Sequence, residues 1–547
     1  MSVLTDFLKY EKQKPNEILF NQPLDQGKRT WTYAEAGKEI RSILAGLQSI
    51  GLKPGDHIAL ISKNCAEWIM ADIAIMMGGY VSIPLYPTLS ANSIKPILEH
   101  SDSKAIIVGK LDDYSAQKDG IPLGIAKIGV NTYGIEEEHT WEDWVKNMTP
   151  SDYVHDWKPN DRLTIIYTSG TTGSPKGVMH ELNNFESTVK VALNELDIDP
   201  TKKARMFSYL PLSHIAERIG IENMGMHLGA EFNFAQSLDT FAENLAEAQP
   251  TLFFAVPRIW SKFREKIEEK LPPSKMNVLL KIPLINGVIK NSIKKKLGLA
   301  SATHIFSGAA PISVDLLKWF QKLDIKILQA YGMTEDSIYA HFNRNNANKL
   351  GTVGIPFSGL DVKIADTGEI RVKSPGNTQG YYKEPDLTKE LFDEEGYLRT
   401  GDIGERDSEG FLTITGRVKD QFKTDKGKYI APAPIEMMLL ANSDIESVCV
   451  VGTGVAQPMA LVVPSPAGLA KNRESLSSSL TSTFNSVNEK LEPYEKMKKV
   501  VVMKEPWTIE NNLMTPTMKV KRNEVEKIHM SRYPEWYDKQ DTVIWES

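Results

Sequence analysis

The sequence has little cysteine: two residues in 547, Cys65 and Cys449, far apart and neither in CxxC spacing. That scarcity excludes a disulfide framework and a cysteine-based zinc site, and it fits buried, reduced thiols in a cytoplasmic protein. No charge of one sign dominates. A net charge of -6 with 24% charged residues gives no global attraction to nucleic acid, and no charged tail or low-complexity tract is present. Long apolar runs are missing as well. The most apolar window, Trp68 to Tyr86, is interrupted by Asp72, Gly78, Gly79 and Pro84, so it reads as a buried helix and then a buried strand, not a membrane span. The first residues, MSVLTDFLKYEKQKP, lack the basic-then-apolar order of a secretion signal. There is no GxSxG and no HExxH, and His180-Glu181 lacks a second histidine, which removes the hydrolase-elbow and zinc-protease readings.

What is present is a long chain of ordinary globular composition, 41% hydrophobic. That length exceeds one core and predicts two or more domains. Thr32 with Glu35 three residues on reads as a capped helix start, running to about Gly51. Strands are predicted at 57–61, 81–85 and 105–108, with helices at 66–77 and 90–100 between them. Helix–strand alternation with apolar strands predicts a largely parallel sheet covered on both faces. The rhythm resumes with strands at 251–256, 304–307 and 325–328. After Gly351 the texture changes to short alternating strands, 362–364, 369–372 and 411–414, which predicts an antiparallel, barrel-like piece. From Val418 a further unit mixes a helix (434–442) with strands at 447–451, 459–463 and 500–503.

The most informative stretch is Tyr167-Thr168-Ser169-Gly170-Thr171-Thr172-Gly173-Ser174-Pro175-Lys176-Gly177-Val178. It follows a predicted strand, 163–166. Glycines let backbone N–H groups turn toward an anion, hydroxyls donate further bonds, and the lysine adds charge, so the loop suits a polyphosphate. It is not the Walker pattern, because Pro175 precedes Lys176 and Gly177 follows it. Further segments share this character. Ser307-Gly308-Ala309-Ala310-Pro311 has small residues that admit a flat ring. Gln329-Ala330-Tyr331-Gly332-Met333-Thr334-Glu335, expected after a strand, supplies an aromatic face, a hydroxyl and a carboxylate. Thr400-Gly401-Asp402 puts a carboxylate on an expected tight turn. Gly416-Arg417-Val418-Lys419-Asp420 carries a guanidinium, and Thr515 to Arg522 is a basic cluster after a proline turn.

In this order the segments resemble the motif set of the adenylate-forming superfamily: acyl-CoA synthetases, luciferases and peptide-synthetase adenylation domains. Leu210-Pro211-Leu212-Ser213-His214-Ile215-Ala216-Glu217-Arg218, Ala255 to Trp260 and Lys428 to Glu436 are similar to the long-chain fatty acyl-CoA synthetase branch, and the length is closer to its bacterial members. The resemblance implies an α/β protein. Its N-terminal adenylation domain, 1–417, would hold two doubly wound α/β subdomains and the small β-barrel-like one. A hinge at 418–420, with Lys419 at the pivot, would lead to a small mobile α+β domain, 421–547. It implies ATP, Mg²⁺ and coenzyme A. Thr168, Ser169, Gly170, Thr171, Thr172, Gly173 and Lys176 would cradle phosphates, and Thr334 would donate to the α-phosphate. Glu335, with Thr168, would hold Mg²⁺. Tyr331 would lie against adenine, with Gly308, Ala309 and Ala310 on its other side and Gln329, Ala330, Gly332 and Met333 around it. Asp402 would take the ribose hydroxyls, Arg417 would reach ribose or phosphate, and Lys519 would bridge the substrate carboxylate and the α-phosphate. His214, Met224, Gly225 and Gly229 would belong to the acyl site, and Gly427, Lys428 and Tyr429 to the coenzyme A channel.

The implied reaction makes an acyl-adenylate and pyrophosphate, then a thioester and AMP. Alternatives keep the adenylation but load a carrier protein, or take a short-chain or aryl acid; a non-catalytic nucleotide scaffold is a third. Partners are small molecules, with a homodimer left open. Ile282 to Leu299, with Lys290, Lys294, Lys295 and Lys296, is a basic amphipathic segment. It reads either as a solvated surface helix or as peripheral contact with the inner face of a membrane.

Overall fold

Helix–strand alternation in the first 181 residues builds a seven-stranded sheet. Its spatial order is His139–Thr140, Ala126–Gly129, Ala105–Val108, His57–Ile61, Val81–Leu85, Arg162–Thr168, Lys176–Glu181. All neighbours are parallel except the last pair, where the two strands on either side of residues 169–174 run antiparallel. The computed structural model describes residues 2–168, 175–283, 285–509, 511–515 and 518–547. Strands His57–Ile61, Val81–Leu85 and Ala105–Val108 are buried at every position, which is why they read as continuous apolar runs. Helix Ala66–Gly78 is likewise buried on all sides, so the most apolar window is core. Helix Tyr33–Ser49 starts as expected. Glu35 N–H donates to Thr32 Oγ1 at 3.2 Å, and Thr32 N–H donates to the Glu35 carboxylate at 2.8 Å. Thr32→Ala is expected to remove about 1 kcal/mol of stability, seen as an earlier first transition in urea unfolding.

The second sheet has Leu252–Ala255, His304–Ser307 and Leu328–Tyr331 in parallel, then His341–Phe342 and Ile355–Pro356 antiparallel. The third strand lies three residues later than the sequence suggested. Ile325 and Ile327 are buried in the core, but the ladder begins with Leu328 opposite Phe306 and Gln329 opposite Ser307. Gln329, Ala330 and Tyr331 therefore belong to the strand and do not follow it. A four-stranded sheet of Arg205–Ser208, Glu231–Phe234, Ile18–Pro23 and Lys28–Thr32 brings residues some 200 positions apart into register, and the local pattern gave no sign of it.

Asp361–Ile364, Glu369–Lys373, Leu398–Arg406 and Leu412–Arg417 form an antiparallel meander. Thr400-Gly401-Asp402, expected as a tight turn, lies inside its longest strand. The register slips at Ile403/Gly404 and Gly401 has φ +70, so an irregular strand, not a turn, aims the carboxylate. Beyond the short 3₁₀ turn Val418–Asp420, strands Ile445–Val451, Met459–Pro464, Lys499–Val502 and Val543–Trp545 form a separate sheet. Apolar clusters cover its two faces, one around Leu476 and Leu480 and one around Trp507 and Trp536. This unit thus carries its own core. Its first helix, Pro432–Leu439, begins on the favourable proline position. Among the described residues no helix is long and apolar enough to cross a membrane.

Candidate active site

The sheets of the large domain and one side of the C-terminal unit enclose a cleft of about 3070 Å³. That volume is several times the space one drug-sized ligand fills, enough for more than one substrate. At the C-terminal end of the second sheet, Tyr331 donates its hydroxyl to Asp402 Oδ2 at 2.7 Å, and Arg417 Nε donates to Asp402 Oδ1 at 2.6 Å. Asp402 is itself buried. The meander and the second sheet thus converge on one carboxylate whose two oxygens are already engaged. Gly308 follows the neighbouring strand, His304–Ser307, and lines the same cleft. A Cβ there would stand 2.9 Å from the Ala330 carbonyl oxygen and 3.2 Å from the Phe254 ring, so only glycine permits the approach. Ala309 holds φ +66, a left-handed conformation uncommon for a residue with a Cβ and concentrated at functional sites.

The turn after Tyr331 presents the chemistry. Met333 N–H donates to Asp336 Oδ1 at 2.9 Å, and Ser337 and Ile338 both have φ +53. A Cβ on Gly332 would meet Ile338 Cα at 2.7 Å, which closes the turn. It sets Thr334 and Glu335 on the cleft wall. Glu335 Oε1 accepts from the Tyr381 hydroxyl at 2.9 Å, and the Lys176 ammonium lies 5.0 Å from the centre of the same ring. Burial raises Glu335 above the usual carboxylate range, opposed by Tyr381, Arg417 and Lys176. Asp336, fully enclosed, is pushed by burial to about 8. The folded state therefore binds a proton there that the unfolded chain releases near its ordinary 3.8. The associated stability is present below that value and lost as pH rises toward 8. Asp336→Asn keeps an acceptor for Met333 N–H and is expected to flatten the fall in stability between pH 4 and 8, measured by urea midpoints across that range.

Lys519 enters from the C-terminal unit. Its N–H donates to Thr515 Oγ1 at 3.0 Å, Thr515 N–H donates back to the Lys519 carbonyl at 2.8 Å, and Met518 between them has φ +62. Lys519 lines the cleft. The side chain is open to the cavity but surrounded by its walls. Desolvation, with Arg417 nearby and Asp402 opposing, lowers the ammonium to about 8. His214 caps a short helix, accepting from Ala216 N–H at 3.2 Å, and burial, with Lys519 adding to it, lowers the imidazole to about 4. It is neutral at pH 7 and walls the space beside the lysine without charge. Arg258 pairs with Glu446 across the cleft rim, tying the large domain to the C-terminal unit in this arrangement.

The cleft wall thus includes Thr168, Lys176, His214 and Met224; the 308–310 and 329–335 segments; and Asp402, Arg417, Lys419 and Lys519. Five expected phosphate-loop residues, Ser169, Gly170, Thr171, Thr172 and Gly173, lie outside the described residues. Gly225 and Gly229 do not line the cleft. A Cβ on the first would meet Phe232 and Met206, and the second lies against Tyr10 of helix Val3–Gln13 and Lys14 just beyond it. Gly427, Lys428 and Tyr429 lie in and beside the small hairpin Phe422–Lys423/Tyr429–Ile430, away from the cleft wall, with Tyr429 exposed. Tyr381, Asp336 and the Arg258–Glu446 pair were not foreseen. Asp336 adjoins a recognisable motif, but nothing around Tyr381 in sequence marks it, since its bridge to Val178 is made across the fold.

A divalent cation fits this wall in one form only. No cluster of three or more acidic, histidine or cysteine ligands occurs among the described residues, so a resident cage is absent there. Glu335 offers one partly enclosed carboxylate, which suits Mg²⁺ that arrives with phosphate oxygens and waters as its other ligands.

Comparison with known proteins accords with this geometry. Long-chain-fatty-acid–CoA ligase FadD15 of Mycobacterium tuberculosis is 27% identical over 582 residues, covering 97% of this chain and 96% of that protein. The peroxisomal long chain acyl-CoA synthetase 7 of Arabidopsis thaliana is 30% identical over 570 residues, covering 91% and 80%. The adenylation domain of carboxylic acid reductase from Segniliparus rugosus, solved with AMP and a co-purified carboxylic acid, superposes with a TM-score of 0.80 at 21% identity, over 98% of this chain and 94% of that one. A family model described as AMP-binding enzyme matches residues 7–382, and one described as AMP-binding enzyme C-terminal domain matches 419–541. The chain belongs to the AMP-binding enzyme family, the adenylate-forming superfamily.

Proposed function

We propose that this protein is a cytoplasmic fatty acid–CoA ligase: it activates a fatty acid with ATP to an acyl-adenylate and pyrophosphate, then transfers the acyl group to coenzyme A. A carboxylate is a poor electrophile at neutral pH, and joining it to a phosphate brings two anions together. The site must supply positive charge and donors where charge builds. Lys519 stands across the cleft from the Tyr331–Asp402–Arg417 trio, with Lys176 beside Glu335, and that meeting carries the proposal. Asp402 would exchange its bonds to Tyr331 and Arg417 for ribose hydroxyls, releasing Arg417 toward phosphate. Thr334 would donate to the α-phosphate. Glu335, with Thr168, would hold Mg²⁺, which supplies charge neutralisation of the polyphosphate.

The acid's chain would run past His214 and Met224, along an apolar part of the wall that includes Leu196, Ile219, Ile221 and Phe306. Lys519 leads the first step. The hairpin with Gly427, Lys428 and Tyr429 would replace it for the second, by rotation about Lys419. Fatty-acid-dependent exchange of pyrophosphate into ATP tests the first step. Thioester formation with CoA, compared with a carrier protein, tests the second; exclusive use of the carrier would overturn the acceptor assignment, and no exchange with any acid would overturn catalysis.

Chain length has its own test. Gly220 lines the cleft, and a Cβ there meets nothing within 4 Å. Gly220→Leu is therefore expected to fill substrate space and leave the protein's own packing intact. Each buried methylene is worth about 0.8 kcal/mol, or roughly fourfold. Loss of two or three methylenes of contact predicts a rise of about 15- to 60-fold in KM for long acids, with short acids unaffected. A uniform effect across a chain-length series would move the acyl path elsewhere.

A further inference from the structure

Residues 270–314 contain seven lysines, from Lys270 to Lys296, and no aspartate, glutamate or arginine, in a chain whose net charge is -6. They carry two surface helices, Pro273–Leu279 and Ile285–Lys296. Buried Met276 and partly buried Leu280, Ile293 and Leu297 hold them to the core around Trp260 and Phe320. The outer side is unusual. Val278, Ile282, Ile285 and Val288 are 62%, 38%, 42% and 69% exposed, four large apolar side chains within eleven residues. Helix Ile285–Lys296 has no buried residue among those described. Of the seven lysines only Lys290 joins an ion pair among the described residues, with Asp324 at 3.0 Å.

Single exposed apolar residues need no explanation, but a cluster rimmed by one charge does. A purely solvated basic helix accounts for the lysines and not for valine and isoleucine turned to water. We propose that this helical pair seats the protein on an anionic lipid bilayer. Val278, Ile282, Ile285 and Val288 enter the headgroup–acyl boundary while the lysines meet lipid phosphates. Helix Pro257–Lys270, whose Arg258, Ser261, Lys262 and Glu265 line the cleft, leads directly into the patch. A bilayer bound there lies at the far end of a cleft wall. The inference concerns the surface alone and holds whichever acid the cleft accepts.

The test is flotation of the full chain with unilamellar vesicles of phosphatidylcholine, with and without phosphatidylglycerol, at low and high salt. Binding is expected to the anionic vesicles at about 0.1 M salt and to weaken strongly at about 0.5 M, where charges are screened. The triple variant V278S/I285S/V288S and the triple variant K294E/K295E/K296E are each expected to lower the partition coefficient at least about tenfold. Both should keep the parent's thermal unfolding midpoint and its pyrophosphate exchange with a short, water-soluble acid, because none of these side chains is buried or lines the cleft. No binding to anionic vesicles overturns the proposal. So does binding that survives the serine variant, which would mark attraction to any polyanion without insertion, or binding that ignores the lysine changes and the lipid charge.

Discussion

Lys519→Ala is expected to cut fatty-acid-dependent pyrophosphate exchange by a factor on the order of 10²–10³ or more, while thioester formation from supplied acyl-AMP and CoA is retained. The geometry behind this is specific. Lys519 is a cation that the C-terminal unit contributes beside His214 and the Tyr331–Asp402–Arg417 trio, directly after Met518 at φ +62. Its environment is set by cleft walls and by Arg417, which together lower the ammonium to about 8. A lysine depressed in this way is protonated below that value and loses its charge as pH rises through it. The rate of adenylation at low substrate, which reports the free enzyme, should fall above about pH 8. Lys519→Arg, which stays charged, should lose that limb even though its planar head fits the site poorly. The second half-reaction begins with the carboxylate already converted to an anhydride, so there is no repulsion left for this lysine to offset. If both half-reactions fell together, Lys519 would be holding the fold or the nucleotide, not the transition state.

The parts of this site legible in the sequence are those whose function depends on contiguous residues. The run from Gln329 to Glu335 and the loop after Thr168 are local devices: small residues, hydroxyls and one charge in a fixed order. The parts that were not legible are built by long-range register. Tyr381 reaches Glu335 because its segment bridges Val178 at the edge of the first sheet. Arg258 meets Glu446 only because two domains close. Asp402 shows the intermediate case. Its identity was legible and its local form was not: glycine at φ +70 in Thr400-Gly401-Asp402 suggests a turn, and in the fold it serves an irregular strand paired on both sides. The strand expected at 325–328 failed for a related reason. Alternating isoleucines mark burial, and burial under a sheet looks the same in sequence as membership of it.

Glu335→Gln tests the opposite charge in the same cleft. The change preserves shape, and the amide oxygen can still accept from the Tyr381 hydroxyl that now donates at 2.9 Å. What it removes is the negative charge. Burial disfavours that charge, and Tyr381, Arg417 and Lys176 only partly offset the cost. A carboxylate kept in such surroundings is costly unless a cation joins it, so its value to the enzyme should appear when Mg²⁺ and nucleotide are bound. The expected result is a loss in pyrophosphate exchange on the order of 10²-fold, together with a Mg²⁺ requirement displaced to higher concentration. The second readout is thermal. The shift in unfolding midpoint produced by a non-hydrolysable ATP analogue should depend on Mg²⁺ in the parent and much less in Glu335→Gln, since a ligand stabilises only as far as it binds the folded state. Tyr381→Phe leaves the carboxylate in place and removes one hydrogen bond, so its effect should be near 1 kcal/mol, roughly fivefold. A Glu335→Gln protein with the parent's Mg²⁺ dependence would move the cation to another part of the cleft wall and leave Glu335 as a partner of Tyr381 alone.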